Sequence, residues 1–320
     1  MKSKNNQAIL KLKTGAFFCL ALSSILVAEE GGAGHYAPGG MATLIDTPPT
    51  KPGWIIEPIY MHYSGDASIS RTFPQAGLLT AGLEASSDAY MFGGFYTFEQ
   101  TLLGAHYSLG GFLPVVSKEV TGFLETPLGR VSRTDSVTDI GDISLIPAML
   151  AWKAGSWQFN TLLTVYAPTG DYEVGRLANA GLNYWTFEPT IGVNYSNEKT
   201  GFNMALYTGI TINTENEDTN YKTGSVLHTE ASITQLLPLG KGYIGVGANA
   251  FLYEQVTGDS GEGARLGDFK GRSIGAGPAL SYILPMGENT LAAEVKWIPE
   301  HDTRKRLEGD AIWVKIAFQF

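Results

Sequence analysis

Ile312-Trp313-Val314-Lys315-Ile316-Ala317-Phe318-Gln319-Phe320 ends the chain in strict alternation. Ile312, Val314, Ile316, Phe318 and Phe320 share one parity; Trp313, Lys315, Ala317 and Gln319 share the other. Successive side chains of a strand point to opposite faces, so one face here is wholly apolar and the other carries a cation and an amide. A soluble edge strand has the same form, so the setting of this strand must be read from the rest of the chain.

The N-terminus speaks to location. Lys2, Lys4, Lys11 and Lys13 precede an uncharged run from Thr14 to Ala28 that contains Phe17, Phe18, Leu20, Leu22, Ile25 and Leu26. This is the basic region and short apolar region of a secretory signal peptide over residues 1–28, too short to span a bilayer as a mature helix. The single cysteine, Cys19, lies within it, and a mature chain without cysteine suits an exported bacterial protein that needs no disulfides. The formal charge of −9 becomes −13 once the four lysines of residues 1–28 are removed, which argues against a nucleic-acid partner. No later segment approaches the roughly 18–20 apolar residues of a membrane helix, so membrane residence has to be through strands.

Of the 39 glycines all but Gly15 fall in the mature part, and they and the aromatics, 11% of the chain, are spread there without a linker-like break, which suggests one architecture. Strand patterns occur near 54–63, 87–98, 101–113, 139–153, 156–167, 183–195, 200–212, 225–238, 241–255, 270–284, 290–298 and 309–320. Short joins at Glu99-Gln100, Ala154-Gly155, Ser196 to Lys199, Leu239-Gly240 and Pro285 to Asn289 alternate with long ones. That segregation predicts an all-β, transmembrane, antiparallel up-and-down barrel over residues 54–320, of about 12 strands, with 10 or 14 as alternatives. Its termini would both be periplasmic.

The clearest segments set the faces. Trp185, Phe187, Pro189, Ile191, Val193 and Tyr195 oppose Tyr184, Thr186, Glu188, Thr190, Gly192 and Asn194. Phe202, Met204, Leu206, Ile210 and Ile212 oppose Asn203, Tyr207, Thr211 and Asn213. The polar faces are expected to line a lumen, with Glu188, His228, Glu230, Glu294, Lys296 and Lys315 as its charged groups and Tyr166, Tyr184 and Tyr207 as its aromatic ones. The first, second and fourth strands alternate poorly and receive no facing. Pro58, Pro147, Pro189 and Pro278 fall within predicted strands, against the requirements of a regular ladder. Trp54, Trp152, Trp157, Trp185, Trp297 and Trp313 lie near strand ends, as aromatic girdles at the two interfaces require.

Gly31-Gly-Ala-Gly-His-Tyr-Ala-Pro-Gly-Gly40, Gly141-Asp142 with Pro147, Ala167-Pro-Thr-Gly-Asp-Tyr172, Glu215-Asn216 with Thr219, Tyr221 and Gly224, and Gly277-Pro278 resemble the MetA-pathway of phenol degradation family. The resemblance covers nearly the whole mature chain. It implies an outer-membrane, transporter-like barrel linked to catabolism of aromatic or other hydrophobic compounds, and it supplies no catalytic residues.

Taken as chemistry, most of these motifs are loops. Pro168-Thr-Gly-Asp-Tyr172 reads as a turn in which Asp171 caps free amides. The acidic loop from Asn213 to Gly224, with Glu215, Glu217 and Asp218, offers oxygen ligands for a divalent ion but lacks the spacing of a calcium loop, and a solvated loop is the better reading. Residues 29–53 are rich in glycine and proline yet contain His35, Tyr36, Met41 and Leu44, which points to a segment folded into the lumen as a plug. His106-Tyr107-Ser108 resembles the His-x-Ser element of outer-membrane lipid esterases, without an assignable acidic partner. Neither a metal nor a cofactor site is indicated.

The expectation is a non-enzymatic channel or facilitator for small hydrophobic or aromatic compounds in the outer membrane of a Gram-negative bacterium. A structural or adhesive barrel acting through its loops is the second reading, and a lipid esterase the third. Its partners would be outer-membrane lipids and lipopolysaccharide, a small hydrophobic solute, and the barrel-assembly machinery, which would read Phe320.

Overall fold

The computed structural model describes residues 34–320 except Ala76, Pro127, Leu128, Asp268 and Phe269. It also describes Ile25–Leu26, which pair in parallel with Arg71 and Thr72. The rest of the expected signal peptide, and residues 29–33 at the start of the expected plug, lie outside the described residues.

Twelve strands close into one antiparallel barrel. They are β1 (Gly53–Ile56 continuing as Ile59–Gln75), β2 (Leu78–Leu102), β3 (Ala105–Thr126), β4 (Gly129–Ile140 continuing as Ile143–Ala154), β5 (Trp157–Ala167) and β6 (Thr186–Asn197). The second half comprises β7 (Phe202–Ile210, then Ile212–Asn213), β8 (Val226–Leu239), β9 (Gly242–Gln255), β10 (Arg272–Met286), β11 (Asn289–Arg304) and β12 (Glu308–Gln319). Each pairs with its sequence neighbour, and β12 pairs with β1 through Glu308↔Asp66 to Lys315↔Ile59, then Phe318↔Ile56. Closure removes both sheet edges.

The alternation seen in the sequence sorts side chains between lipid and lumen. Along β6, Thr186, Glu188 and Thr190 are buried while Phe187, Pro189 and Ile191 are exposed. Along β12, Trp313, Lys315 and Ala317 are buried while Ile312 and Ile316 face outward. Large apolar side chains such as Phe92, Ile191 and Ile233 are 57–61% exposed, forming the outward apolar surface of a transmembrane barrel. No helix among the described residues is long and apolar enough to cross a membrane.

One rim carries the tight turns. Leu103 and Gly104 both adopt positive φ (54° and 75°), the requirement of a two-residue hairpin that follows the sheet twist. Glu99-Gln100, expected as this turn, instead lies within β2 beside a register shift between Thr97 and Thr101. Trp54 and Phe320 exchange backbone hydrogen bonds of 2.9 and 3.0 Å, placing the first and last strand ends on the same rim as the turns.

The other rim differs from expectation. Two of its anticipated long loops, around 64–86 and 114–138, are strand: β1–β2 and β3–β4 rise as tall hairpins. In the β3–β4 hairpin polar pairs recur, as in Ser117–Thr138 and Thr121–Thr134, whose hydroxyls meet at 2.9 and 2.8 Å. Such cross-strand pairs stabilise a sheet without the apolar parity that lipid imposes, so the sequence there lacks a membrane-strand signature. Segments 168–185, 214–225 and 256–271 remain loops.

The four prolines that the sequence set against a regular strand sit at irregularities of the ladder. Pro58 occupies the break in β1, and Pro147 a bulge between Leu145 and Ala148. Pro189 faces the interruption of β7 between Ile210 and Ile212; Pro278 pairs with Ala248 of β9, while on its β11 side the stretch between Gly275 and Ala279 makes no pairs. A residue without an N–H is accommodated where no ladder bond is required. Trp54, Trp157, Trp185 and Trp297 are exposed and Trp152 half-buried, but Trp313 is not a girdle residue. It is 4% exposed, faces the lumen, and donates Nε1–H to Pro38 O at 3.3 Å.

Candidate functional site: a threaded lumen with two chambers

Residues 34–52 run through the barrel. His35 meets Thr186 and Asp142 near the tall rim, while the Lys51 ammonium reaches Glu288 O in a turn of the opposite rim. A chain this irregular has few backbone partners of its own, and the wall supplies them. Glu230 accepts from Tyr36 Oη–H (2.8 Å), Gly39 N–H (3.1 Å) and Met41 N–H (3.1 Å). Lys315 donates to Gly40 O, and Asn249 Nδ2 to Met41 O at 3.1 Å. Near the lower rim, Asn194 donates to Thr47 Oγ1 and Gln158 to Pro48 O.

The expected charged residues converge in the lumen. Glu188, His228, Glu230, Glu294, Lys296 and Lys315 are all at most 3% exposed. Lys296 lies 3.6 Å from both Glu294 and Asp46, and Lys315 pairs with Asp46 directly. Thr43 Oγ1–H donates to Glu294 at 2.9 Å. His228 Nε2 comes within 3.1 Å of Glu188, and the imidazole stacks on Tyr36 at 3.9 Å between centroids. Tyr166 donates to Glu188 at 3.0 Å and stacks on His35, which meets Tyr184 edge-on. Tyr207 donates to Asn194 and accepts from Asn160. Met41 is half-buried between two apolar clusters, and Leu44 faces the lower chamber described below.

Asp46 was not anticipated, although it is the single carboxylate between Gly31 and Gly53. Lys315 and Lys296 both meet its carboxylate, so one acidic group of the threaded segment compensates two cations of the wall. Asp142 was read only as part of a turn motif. Lodged in the break of β4, it accepts from Gly170 N–H (2.8 Å), Leu182 N–H (2.7 Å) and His35 Nε2 (2.9 Å). It thereby ties the 168–185 loop and the threaded segment to the wall. Burial would raise the pKa of this carboxyl, and His35 with the two amides lowers it instead. Asp171, expected as the cap, instead pairs its carboxylate with Arg176 at 2.8 Å. In the acidic loop, Glu215, Glu217 and Asp218 are exposed.

The threaded segment leaves a cavity on each side. The upper one, about 270 Å³, lies between His35 to Pro38 and the inner faces of β1–β4 and β12. Its lining is mainly apolar and includes Met61, Ala89, Met91, Phe112, Pro114, Val116 and Trp313. The lower one, about 640 Å³, opens among Asn194, Ser196, Asn203, Ser232, Thr234, Lys153 and Lys199. The apolar lining of the upper chamber explains the poor alternation of β1, β2 and β4. Where the lumen wall is itself apolar, both parities read alike, and the bulge at Pro147 shifts the inward parity from Ser144 and Ile146 to Met149 and Ala151.

Ser108 faces inward and is 1% exposed, with its hydroxyl 2.8 Å from Thr97 Oγ1; His106 Nδ1 has no hydrogen bond. The His-x-Ser pair is therefore not assembled as nucleophile and base.

The fold is shared with solved outer-membrane barrels. The COG4313 outer membrane channel from Pseudomonas putida F1 is similar at 13% identity and a TM-score of 0.61, over 89% of this chain and 100% of that one. The beta domain of the Bordetella autotransporter BrkA is similar at 9% identity and a TM-score of 0.51, over 84% and 100% of the two chains. No curated protein matches the sequence. The sequence model described as "Putative MetA-pathway of phenol degradation" matches residues 69–316, more than three quarters of the length, and the chain belongs to that family.

Proposed function

We propose that this barrel is a non-enzymatic outer-membrane channel or facilitator that admits small hydrophobic or aromatic compounds, with residues 34–52 as its plug. The observation that carries this reading is the pair of chambers separated by the threaded segment, the upper mainly apolar and the lower lined by polar and apolar groups in similar measure. An apolar upper chamber favours capture of a solute with little charge, because apolar surface leaves water on entry. The larger lower chamber, where Asn194, Ser196, Ser232 and Thr234 join the lining, favours its release toward the periplasm. Family membership and the channel named among the similar folds support the same reading. Export through a cleaved signal peptide, contact with lipopolysaccharide at the upper rim, and delivery through Phe320, which is outward-facing and stacked on Phe318, complete the proposal.

Flux through purified protein in liposomes tests it. Wild-type protein should pass a small neutral arene faster than empty vesicles, and deletion of residues 34–52 should raise that flux several-fold while retaining the folded barrel. Equal flux for the folded deletion and wild type would remove the plug. A sealed wild-type barrel whose loops bind ligand would favour the adhesive alternative. Ser108→Ala should leave flux unchanged.

A further inference from the structure

The upper chamber contains one feature that a purely apolar solute does not require. Along the inner face of β3, Pro114 and Val116 are followed two residues later by Lys118, which lines the same cavity and is half-buried. The other charged groups around the chamber have partners. Glu300 accepts from Tyr63, Ser273 and the Gly309 amide; Asp142 is held by His35 and two amides; Arg306 lies 3.7 Å over the Tyr253 ring. Lys118 makes no hydrogen bond or close ion pair among the described residues; the carboxylate of Asp142, already held by His35 and two amides, acts on it only at longer range. A cation drawn out of water without a partner is unfavourable, and a methionine or leucine would complete this wall at lower free energy.

We infer that the upper chamber binds a ligand with an apolar body and a single anionic group, for which Lys118 is the counter-ion. The inference rests on the channel reading above and specifies its substrate class. A volume of about 270 Å³ corresponds to about nine waters, the size of a one-ring or short-chain carboxylic acid. Met61, Met91 and Phe112 contact the body of such a ligand. The carboxylate lies toward the tall rim, where Lys118 meets it first, so the same residue selects and orients. Arginine at this position would preserve the charge, whereas methionine would preserve the stem and remove it.

The probes are benzoate and its neutral isostere benzamide, titrated calorimetrically against the full barrel in detergent. Wild type should bind benzoate at least tenfold more tightly than benzamide. Lys118→Met should reduce benzoate to the benzamide level without altering benzamide, and Lys118→Arg should retain most of the preference. Equal affinities in wild type, binding of neither probe, or a preference that survives in a folded Lys118→Met barrel would each overturn the inference. Liposome flux separates the two readings. Flux of both probes without preference for benzoate overturns only the role of Lys118, while Lys118-dependent binding without any flux overturns only transport.

Discussion

Asp46 shows how one side chain holds the lumen together. Two lysine cations, Lys296 and Lys315, are essentially without solvent and meet on this carboxylate. Removing one member of such a buried set leaves uncompensated charge, a loss of about 3–5 kcal/mol. Asp46→Asn should therefore loosen residues 34–52 at neutral pH, seen as faster proteolysis of that segment and higher solute flux. Identical proteolysis of wild type and Asp46→Asn at pH 7 would refute this role. At Asp142, replacement by alanine removes three hydrogen bonds to a buried carboxylate. A loss of about 2–4 kcal/mol, with earlier cleavage of the 168–185 loop, is expected from urea unfolding and limited proteolysis. The sequence showed Glu230, Glu294, Lys296 and Lys315 through parity alone. It did not show Asp46 or Asp142 in these roles, because neither lies on a regular strand and their partners are distant in the chain.

Individual strands were legible in proportion to the contrast between their faces. β6, β7, β8, β11 and β12 place lipid on one side and a polar lumen on the other, so a period of two appears directly in their residues. β1–β4 surround the apolar chamber and rise beyond the lipid-facing surface, and each circumstance removes one half of that contrast. The β3–β4 extension is held by hydroxyl pairs such as Thr121–Thr134, which carry no facing information in the sequence. Ile191 lies midway along β6, is 61% exposed, and pairs with Thr161 and Thr208 on the adjacent strands. Ile191→Arg should destabilise the barrel by about 2–4 kcal/mol, the effect of a cation on the lipid face at the bilayer midplane. Folding into phospholipid vesicles over a urea series measures it, and a change below a few tenths of a kcal/mol would mean that this face does not meet lipid.

At the scale of the whole molecule, the barrel wall and its threaded segment are interdependent. The wall encloses acidic and basic groups that pair fully only with the segment present, and the segment has no regular structure apart from the wall. The strand count, closure and the lumenal course of residues 34–52 agree with what the terminal strand, the turns and the glycine-rich N-terminus suggested, whereas the division into two chambers depends on which inner faces happen to adjoin. On the channel function proposed above, that division makes movement of the segment the step on which passage depends. Beyond Cys19 in the expected signal peptide the chain contains no cysteine, so an introduced pair is unambiguous. Thr47 and Asn194 have side chains 3.1 Å apart at the lower end of the segment. Bridging Thr47→Cys and Asn194→Cys, by oxidation or with a short bifunctional thiol reagent, should lower arene flux by at least tenfold, and breaking the bridge should restore it. Flux that persists with the segment locked would place the path elsewhere in the wall and leave the segment as a structural core of the barrel.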